Sequence, residues 1–318
     1  MKQVVVNADD FGICVETNLG IELAFQRGIL TSASLMANMP GFDHAVDTVL
    51  RRNPGLGVGI HLVLTSGRPV ADPAQIPLLV DESGLFRRNF LGILALTCGP
   101  RAREACDQIE HELTAQIAKV RSANVVVDHV NSHQHVHMIP AVWRTVVSLA
   151  ARNGSPVVRL GGPHGHLNGS RHFVRRRRVK GNLLKEAVLA VCALPTRRLA
   201  PQESLPGVVV RHPDHLAAAM DAKGMDQGTL AKHLADLPDG ITEIVTHPSL
   251  ASTETVALLA RHVSREDLMF LSSRARRVEL EALIDGDVRT MVAERGIALN
   301  SFGTLTRPAT AVSIAQAH

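Results

Sequence analysis

Gln3-Val4-Val5-Val6-Asn7 runs directly into Ala8-Asp9-Asp10, and this stretch sets the expected architecture of the chain. Its β-branched run predicts a short buried strand. The helical pattern of Val15–Arg27 follows and stops before Gly28, a residue type that favours a left-handed C-terminal cap. A strand followed at once by a helix is the repeating unit of a parallel α/β sheet.

The same alternation of strand and helix continues along the chain. Further strands are predicted at 32–36, 57–64, 125–130, 157–160, 241–246 and 297–301. Helices are predicted over 106–120, from Pro140 onward and over 287–295. About seven parallel strands in one chain predict an α/β protein with a single distorted (β/α) barrel, similar in plan to a TIM barrel.

Two segments fall outside this alternation. Residues 161–207 are irregular and basic, and we predict an insertion there within a catalytic domain that spans 1–306. Residues 307–318 have the composition of a disordered tail. The basic run 175–180 is interpreted as a solvated loop, with a contact to anionic lipid head groups or another anionic partner as the alternative.

Composition narrows the function classes. The chain has 318 residues, of which 45% are hydrophobic, so it can form a sizeable core. Aromatic residues make up only 3%, with no Tyr, so nucleic acid binding by base stacking is not expected.

Location and assembly are only weakly indicated. Widely spaced cysteines, no visible signal peptide and no long apolar stretch lead us to expect a cytoplasmic protein, with peripheral contact at the inner membrane as the alternative. No sequence feature specifies the oligomeric state, for which a homodimer is a starting hypothesis.

Four polar motifs share one position, the carboxyl end of a predicted strand. They are Asn7-Ala8-Asp9-Asp10, Gly59-Ile60-His61, Asn131-Ser132-His133-Gln134-His135-Val136-His137 and Thr246-His247-Pro248. Active sites of parallel barrels form at that rim because the strand ends converge there. The coincidence of four motifs therefore predicts one functional site.

The pair Asp9 and Asp10 offers two carboxylates for two different tasks. Adjacent strand residues point to opposite sides, so one can bind a metal ion while the other acts as a base. A turn that uses Asp for local hydrogen bonds is the alternative. The His residues at the other strand ends favour the functional interpretation.

The cluster of His129, His133, His135 and His137 is the strongest local signal. In an extended segment alternate residues face the same way, so the last three could line one side of a cavity. Neutral imidazole is the commonest metal ligand in proteins. A solvent-exposed turn rich in His is the alternative, and His61 is ambiguous on its own.

Two His and one carboxylate from separate strands would make a three-ligand site with open positions, as in catalytic metal centres. Zn fits these ligand types best, and Mg, Mn or Co are alternatives. Such a centre activates water and polarises a carbonyl, and a second His can protonate a leaving amine. His247 is the candidate acid because Pro248 stiffens the backbone after it, although a buried structural His is the alternative.

Together the four motifs resemble the YdjC-like carbohydrate deacetylases, which include the chitooligosaccharide deacetylases. The resemblance runs in order from about residue 3 to residue 305. The stretches most similar to the hopanoid-associated HpnK branch are Gly59-Ile60-His61-Leu62-Val63-Leu64, Gly67-Arg68-Pro69-Val70 and Val127-Asp128-His129-Val130-Asn131. The resemblance implies removal of an acetyl group from an N-acetylglucosamine unit, carried by a hopanoid lipid or, alternatively, by a soluble chitooligosaccharide.

The resemblance also implies a role for each residue of the predicted site. Asp10, His61 and His133 would bind one divalent metal ion. Asp9 would be the general base, and His247 would be the general acid.

Residues around that set carry less specific implications. Arg159 matches the position of an orienting Arg, while His135 and His137 would contact the substrate or orient the metal ligands. Two positions depart from the chitooligosaccharide branch, which tends to have Asp at Asn131 and His at Gln134. Neither departure removes an implied ligand, but both alter the expected substrate contacts.

Other functions fit the same residues. Another metal hydrolase, such as a cyclic-amide hydrolase or a phosphoesterase, could use identical ligands. A non-catalytic sugar- or lipid-binding protein would be expected to lack the base or the acid, yet Asp9 and His247 are both present. His164 and His166, inside the predicted insertion, are interpreted as loop residues.

Overall fold

The computed structural model describes residues 2–154, 157–160, 192, 212–218 and 225–306. All four polar motifs fall inside these ranges. The predicted insertion apart from Cys192, its basic run 175–180, His164, His166 and the predicted tail lie outside the described residues.

One sheet organises the described part of the chain, and every pairing in it is parallel. Its strands are β1 (Lys2–Phe11), β2 (Ser32–Leu35), β3 (Gly57–Leu62), β4 (His129–Ser132), β5 (Val157–Val158), β6 (His215–Ala217), β7 (Gly240–Thr246) and β8 (Ala298–Leu299). The order across the sheet is β5-β4-β3-β2-β1-β7-β6, and β8 pairs with the start of β1. The strand that carries Asp9 and Asp10 is therefore central.

Helices connect and cover these strands. They are α1 (Val15–Arg27), α2 (Phe42–His44, continued by a π turn at Ala45–Leu50), α3 (Phe90–Cys98), α4 (Ala102–Ser122), α5 (Pro140–Arg152), α6 (Gln227–Ala235), α7 (Thr253–Leu259), α8 (Arg265–Leu271), α9 (Ala275–Leu283), α10 (Gly286–Glu294) and α11 (Phe302–Thr306). Short 3-10 turns lie at Pro73–Gln75 and His133–Met138.

The main core lies between the sheet and the helices. Ile109, Leu113 and Ile117 of α4 recur every four residues and are buried, as their periodicity predicts. On the strand side, Val4 and Val6 of β1 belong to the same cluster and have no exposed surface. Burial of one helical stripe against a buried strand fixes the carboxyl ends of the strands relative to one another.

The predicted parallel α/β architecture is confirmed, and the curled sheet is consistent with a distorted barrel that is not closed in the described part of the chain. The sheet curls as a half-barrel with β5 and β6 at its edges, and no ladder joins these two strands in the described ranges. Most of the chain between them is the 161–211 segment, which apart from Cys192 lies outside those ranges.

One strand was predicted at the wrong position and another was not predicted. The strand predicted at 125–130 is His129–Ser132, because Val126 is 86% exposed and the preceding residues form an irregular connection. Asn131 therefore lies within a strand rather than beyond its end. The three-residue strand β6 was missed, since so short a segment carries too little periodicity to be recognised.

The prediction of a left-handed cap at Gly28 was also wrong. Its φ is −117°, outside the left-handed region. A Cβ at this position would lie 2.3 Å from the carbonyl oxygen of Leu283. Glycine is needed here because α1 ends against the last residue of α9, a tertiary contact with no local signal.

No helix among the described residues combines the length and apolar character needed to cross a membrane. Cys14, Cys98 and Cys106 form no disulfide in the described part of the chain.

Candidate metal and active site

The carboxyl end of β1 is bulged, and the bulge brings two adjacent carboxylates to one site. The pairing register with β2 shifts between Ala8 and Phe11, and Asp10 has a φ of 62°. In a regular strand Asp9 and Asp10 would face opposite sides, as we predicted. A bulge re-aims side chains, and here Asp9 Oδ1 lies 3.7 Å from His61 Nδ1 while Asp10 Oδ1 lies 3.4 Å from His61 Nε2.

Asp10, His61 and His133 converge from β1, β3 and the end of β4. One ligand atom from each lies within 4.8 Å of the others, and all three residues are buried. Asp10 Oδ1 is 3.2 Å from His133 Nδ1, yet it has no hydrogen-bond partner in the described part of the chain. Buried nitrogen and oxygen atoms that face one another without forming hydrogen bonds are suited to bind one divalent cation together.

Hydrogen bonds orient both imidazoles of this cluster. His61 Nδ1 lies 2.6 Å from Asn131 Oδ1, so this nitrogen donates and Nε2 faces the cluster. His133 Nε2 lies 2.8 Å from Asp267 Oδ1, so Nε2 donates and Nδ1 faces the cluster. Such outer partners are the usual way in which proteins fix the tautomer of a metal-binding His.

Electrostatics follow from this burial and pairing. Burial alone would lower the pKa of His133, but the nearby carboxylates of Asp267 and Asp10 outweigh it and raise that pKa well above its usual value. Burial alone would raise the pKa of Asp10, but the closely facing rings of His133 and His61 outweigh it and lower that pKa well below the usual range. Asp10 is thus held as a carboxylate, the form that binds metal.

Asp267 was not found from the sequence. It lies in the first turn of α8, where its backbone amide donates to the capping Ser264 side chain and Ser264 Oγ donates to Asp267 Oδ2. The spacing Ser264-Arg265-Glu266-Asp267 is a helix-start signal, but it does not predict contact with a His 134 residues away.

Asp9 is clamped by the buried Arg159. Arg159 Nη1 lies 2.6 Å from Asp9 Oδ2, and Nη2 lies 2.9 Å from Asp9 Oδ1. Burial would raise the pKa of Asp9, but the Arg159 charge outweighs it and lowers that pKa far below its usual value. Glu243 of β7 accepts from Arg159 Nε at 2.9 Å. Glu243 was not found from the sequence, although a charged residue inside a buried strand was an available signal.

A series of hydrogen-bonded polar side chains, the polar chain, connects β4 to β2 beneath Asp9. His129 Nδ1 lies 2.6 Å from Asp128 Oδ1, and His129 Nε2 lies 2.9 Å from Ser34 Oγ. Ser34 Oγ accepts from Asn7 Nδ2 and Asn131 Nδ2 at 2.9 and 2.8 Å. Each of these two amides also donates to Asp9 Oδ1. His129 therefore supports the site from below.

The segment after β4 is a turn rather than an extended chain. The prediction that His133, His135 and His137 face the same side was therefore wrong. Gln134 and His135 have φ of 53° and 58° within the 3-10 turn His133–Met138. His137 points into the interior, with Nδ1 2.5 Å from Ser132 Oγ and Nε2 3.1 Å from the Arg159 carbonyl oxygen. His135 is half-buried. A substrate contact by His135 stays a prediction.

His247 follows β7 and is held through its backbone. Its amide donates to Glu279 Oε2 at 2.6 Å, and the centres of the His247 and Phe270 rings lie 5.0 Å apart with the ring planes nearly perpendicular. Burial, followed by the charge of Arg276, lowers the pKa of His247 to about 4. At neutral pH the ring is therefore uncharged.

The curled parallel sheet and the Asp-His-His cluster at its strand ends define a class, the α/β proteins with a candidate metal centre at the sheet rim. The family model described as YdjC-like protein matches residues 3–294. The chain belongs to this family, which confirms the family resemblance; the HpnK branch stays a prediction.

Named relatives are carbohydrate deacetylases. The chain is 44% identical over 165 residues to one from Geobacillus stearothermophilus, covering 51% of this chain and 62% of that protein. It is 28% identical over 307 residues to one from Thermoanaerobacter pseudethanolicus, covering 96% of this chain and 100% of that protein. The match thus spans about six-tenths of the length of the first relative.

A solved structure supports the fold. An Enterococcus faecalis V583 protein, provisionally described as a cellobiose-phosphate cleavage protein, matches with a TM-score of 0.70 at 24% identity. The match covers 96% of this chain and 98% of that one.

Proposed function

We propose that this chain is a metal-dependent hydrolase that removes the acetyl group from an N-acetylglucosamine unit. The observation that carries the proposal is the convergence of Asp10, His61 and His133, whose ligand atoms lie within 4.8 Å of one another beside Asp9. The name carbohydrate deacetylase, borne by relatives, supports an acetylated sugar as the substrate.

One divalent cation would be held by Asp10, His61 Nε2 and His133 Nδ1. Zn suits two imidazoles and one carboxylate, with Mg, Mn or Co as alternatives. When bound, it would polarise the acetamide carbonyl and lower the pKa of water to about 7. Asn131 and Asp267 hold the two imidazoles in the orientation that this requires.

Asp9 is the proposed general base. It is ionised and oriented by Arg159, so it can accept a proton from a water molecule in the site. The same ion pair makes Asp9 a weak base, since it lowers the pKa of the carboxyl group.

His247 is the proposed general acid. Because its pKa is lowered to about 4, the ring must take up a proton during the reaction before it can donate one. In the overall reaction one water is consumed, a C–O bond forms as the C–N bond breaks, and the amine nitrogen gains a proton.

We further propose an N-acetylglucosaminyl hopanoid as the substrate and peripheral contact at the inner membrane from the cytoplasm. Leu258 on α7 is 79% exposed, and Met269 on α8, the helix of Asp267, is 59% exposed. Exposed apolar side chains on these two helices would suit a lipid-linked substrate. A soluble chitooligosaccharide is the alternative substrate, and a homodimer is the working assembly.

The test is acetate release by metal-reconstituted protein from one chitooligosaccharide and one N-acetylglucosaminyl hopanoid. Asp9→Asn and His247→Ala are expected to reduce release at least a hundredfold, the usual range for acid–base residues. Matched controls are the exposed Asp47→Asn and His111→Ala, which should leave release unchanged.

The preferred substrate decides between the lipid and the soluble glycan. Release that resists chelation and both site variants would contradict the mechanism. If folded, metal-loaded protein releases nothing from either substrate, both substrate proposals fail and other amides become the next candidates.

A further inference from the structure

Arg276 in the first turn of α9 is a buried cation whose side chain makes no hydrogen bond in the described part of the chain. Only 2% of the residue is exposed, and its guanidinium carbon lies 3.9 Å from the centre of the Phe270 ring. Nη2 lies 3.2 Å from Glu279 Oε1. Even so, Nε, Nη1 and Nη2 all lack a hydrogen-bond partner in the described part of the chain.

Arg159 shows how this protein satisfies a guanidinium that is equally buried. Its nitrogens donate to both oxygens of Asp9 and to Glu243. A guanidinium carries five N–H donors, and a buried charge without hydrogen bonds is costly to maintain. Arg276 therefore has donor capacity that no described side chain uses.

The guanidinium borders the candidate active site. The Phe270 ring packs against the Arg276 guanidinium and also contacts the His247 ring in a nearly perpendicular arrangement. Glu279 contacts Arg276 and also accepts from the His247 backbone amide. Arg276 is also close enough to Asp10 for their charges to interact.

We propose that Arg276 binds an oxyanion of the substrate or product at this site. The planar fork of a guanidinium matches a carboxylate or a phosphate through two parallel hydrogen bonds. The inference rests on the proposed function, because deacetylation produces acetate next to His247. An anionic group carried by the sugar offers the same chemistry and is the other source.

The first test is anion binding by the full chain without metal, so that activity is not required. The probes are sodium acetate and inorganic phosphate at constant ionic strength, with titration calorimetry and the thermal unfolding midpoint as readouts. The variants are Arg276→Met, which removes the charge, and Arg276→Lys, which keeps it without the fork. Arg277→Met is the matched control, since Arg277 is the next residue and its side chain is 58% exposed.

We expect wild type and Arg277→Met to bind at least one anion. Arg276→Met should weaken that binding roughly tenfold or more, the range for hydrogen bonds to charged groups. Arg276→Lys should fall between them. Preference for acetate identifies the product as the source, and preference for phosphate identifies an anionic group on the sugar.

Absence of binding by wild type, or equal binding by Arg276→Lys and wild type, overturns the proposal even if Arg276→Met fails to fold. Inhibition of deacetylation by acetate then separates the proposal for Arg276 from the proposed deacetylase function. If wild type releases acetate and Arg276→Lys has an unchanged KM and inhibition constant, the enzyme assignment stands and the Arg276 assignment fails. If no substrate releases acetate but anion binding depends on Arg276, the Arg276 assignment stands and the enzyme assignment fails.

Discussion

Asn131 links the candidate base and a candidate metal ligand through one amide. Its Oδ1 accepts from His61 Nδ1, and its Nδ2 donates to Asp9 Oδ1 and to Ser34 Oγ. An amide can accept and donate at once, whereas a carboxylate only accepts. The identity of residue 131 therefore decides the charge beside Asp9.

Asn131→Asp should reduce kcat/KM for acetate release by roughly 10- to 100-fold, as for other residues that orient metal ligands. The new carboxylate would still accept from His61 Nδ1 but could no longer donate to Asp9 or Ser34, and the two like charges would repel each other. Asn124→Asp is the control because Asn124 is exposed. Unchanged kcat/KM in Asn131→Asp would contradict the positioning role.

Asp267→Asn should weaken Zn binding by roughly 10- to 100-fold, because the carboxylate that fixes the His133 ring is replaced by a neutral amide. Chelator competition on the purified protein measures the affinity. Glu266→Gln is the matched control, since the adjacent Glu266 contacts the Gln134 side chain instead. Equal affinities in the two variants would mean that Asp267 does not orient the ligand.

At the scale of elements, neighbouring strands are fitted to the polar chain beneath Asp9. Gly59 of β3 pairs in register with His129 of β4. A Cβ on Gly59 would lie 2.4 Å from ring atoms of His129. The absence of a side chain at Gly59 thus makes room for the imidazole that contacts Ser34.

Gly59→Ala should destabilise the fold by about 1–3 kcal/mol, the usual range for overpacking a core. Urea denaturation measures the free energy of unfolding. Gly55→Ala is the control, because the nearest atom to a Cβ there is 3.6 Å away on Phe25. A cost no larger than that of Gly55→Ala would contradict the packing of Gly59 against His129.

For the whole molecule, buried neutral imidazoles link stability to pH. Burial first, and then the Arg159 charge, lowers the pKa of His137 to about 3, and the pKa of His247 is lowered to about 4. The ordinary pKa of His, which applies in the unfolded chain, is 6.5. The unfolded chain therefore binds these protons more readily, so stability falls as pH drops from 6.5 towards 3. The raised pKa of His133 has the opposite effect on stability, because the folded chain binds this proton more readily than the unfolded chain.

His137→Gln should show a smaller loss of unfolding free energy between pH 6.5 and pH 4 than wild type. The contribution of His133 is common to both proteins and cancels in the comparison. Urea denaturation at several pH values measures the slope, with His111→Gln, at an exposed position, as the control. An identical slope in His137→Gln and wild type would show that His137 is not held neutral.

Local patterns in the sequence predicted the elements and located the site. The apolar run of β1 and the four-residue spacing in α4 reflect burial of one face, which the chain records residue by residue. Polar residues after those strands located Asp9, Asp10 and His61 at one rim, because parallel strands end on the same side.

Only the tertiary structure decided how these residues are used. The bulge at Asp10 turned two neighbouring carboxylates towards one His. The turn at Gln134 and His135 buried His137 and left His133 facing the cluster. Glu243, Asp267 and Arg276 joined the site through contacts between distant segments. Such contacts depend on how helices pack against the sheet, and local periodicity carries no record of that packing.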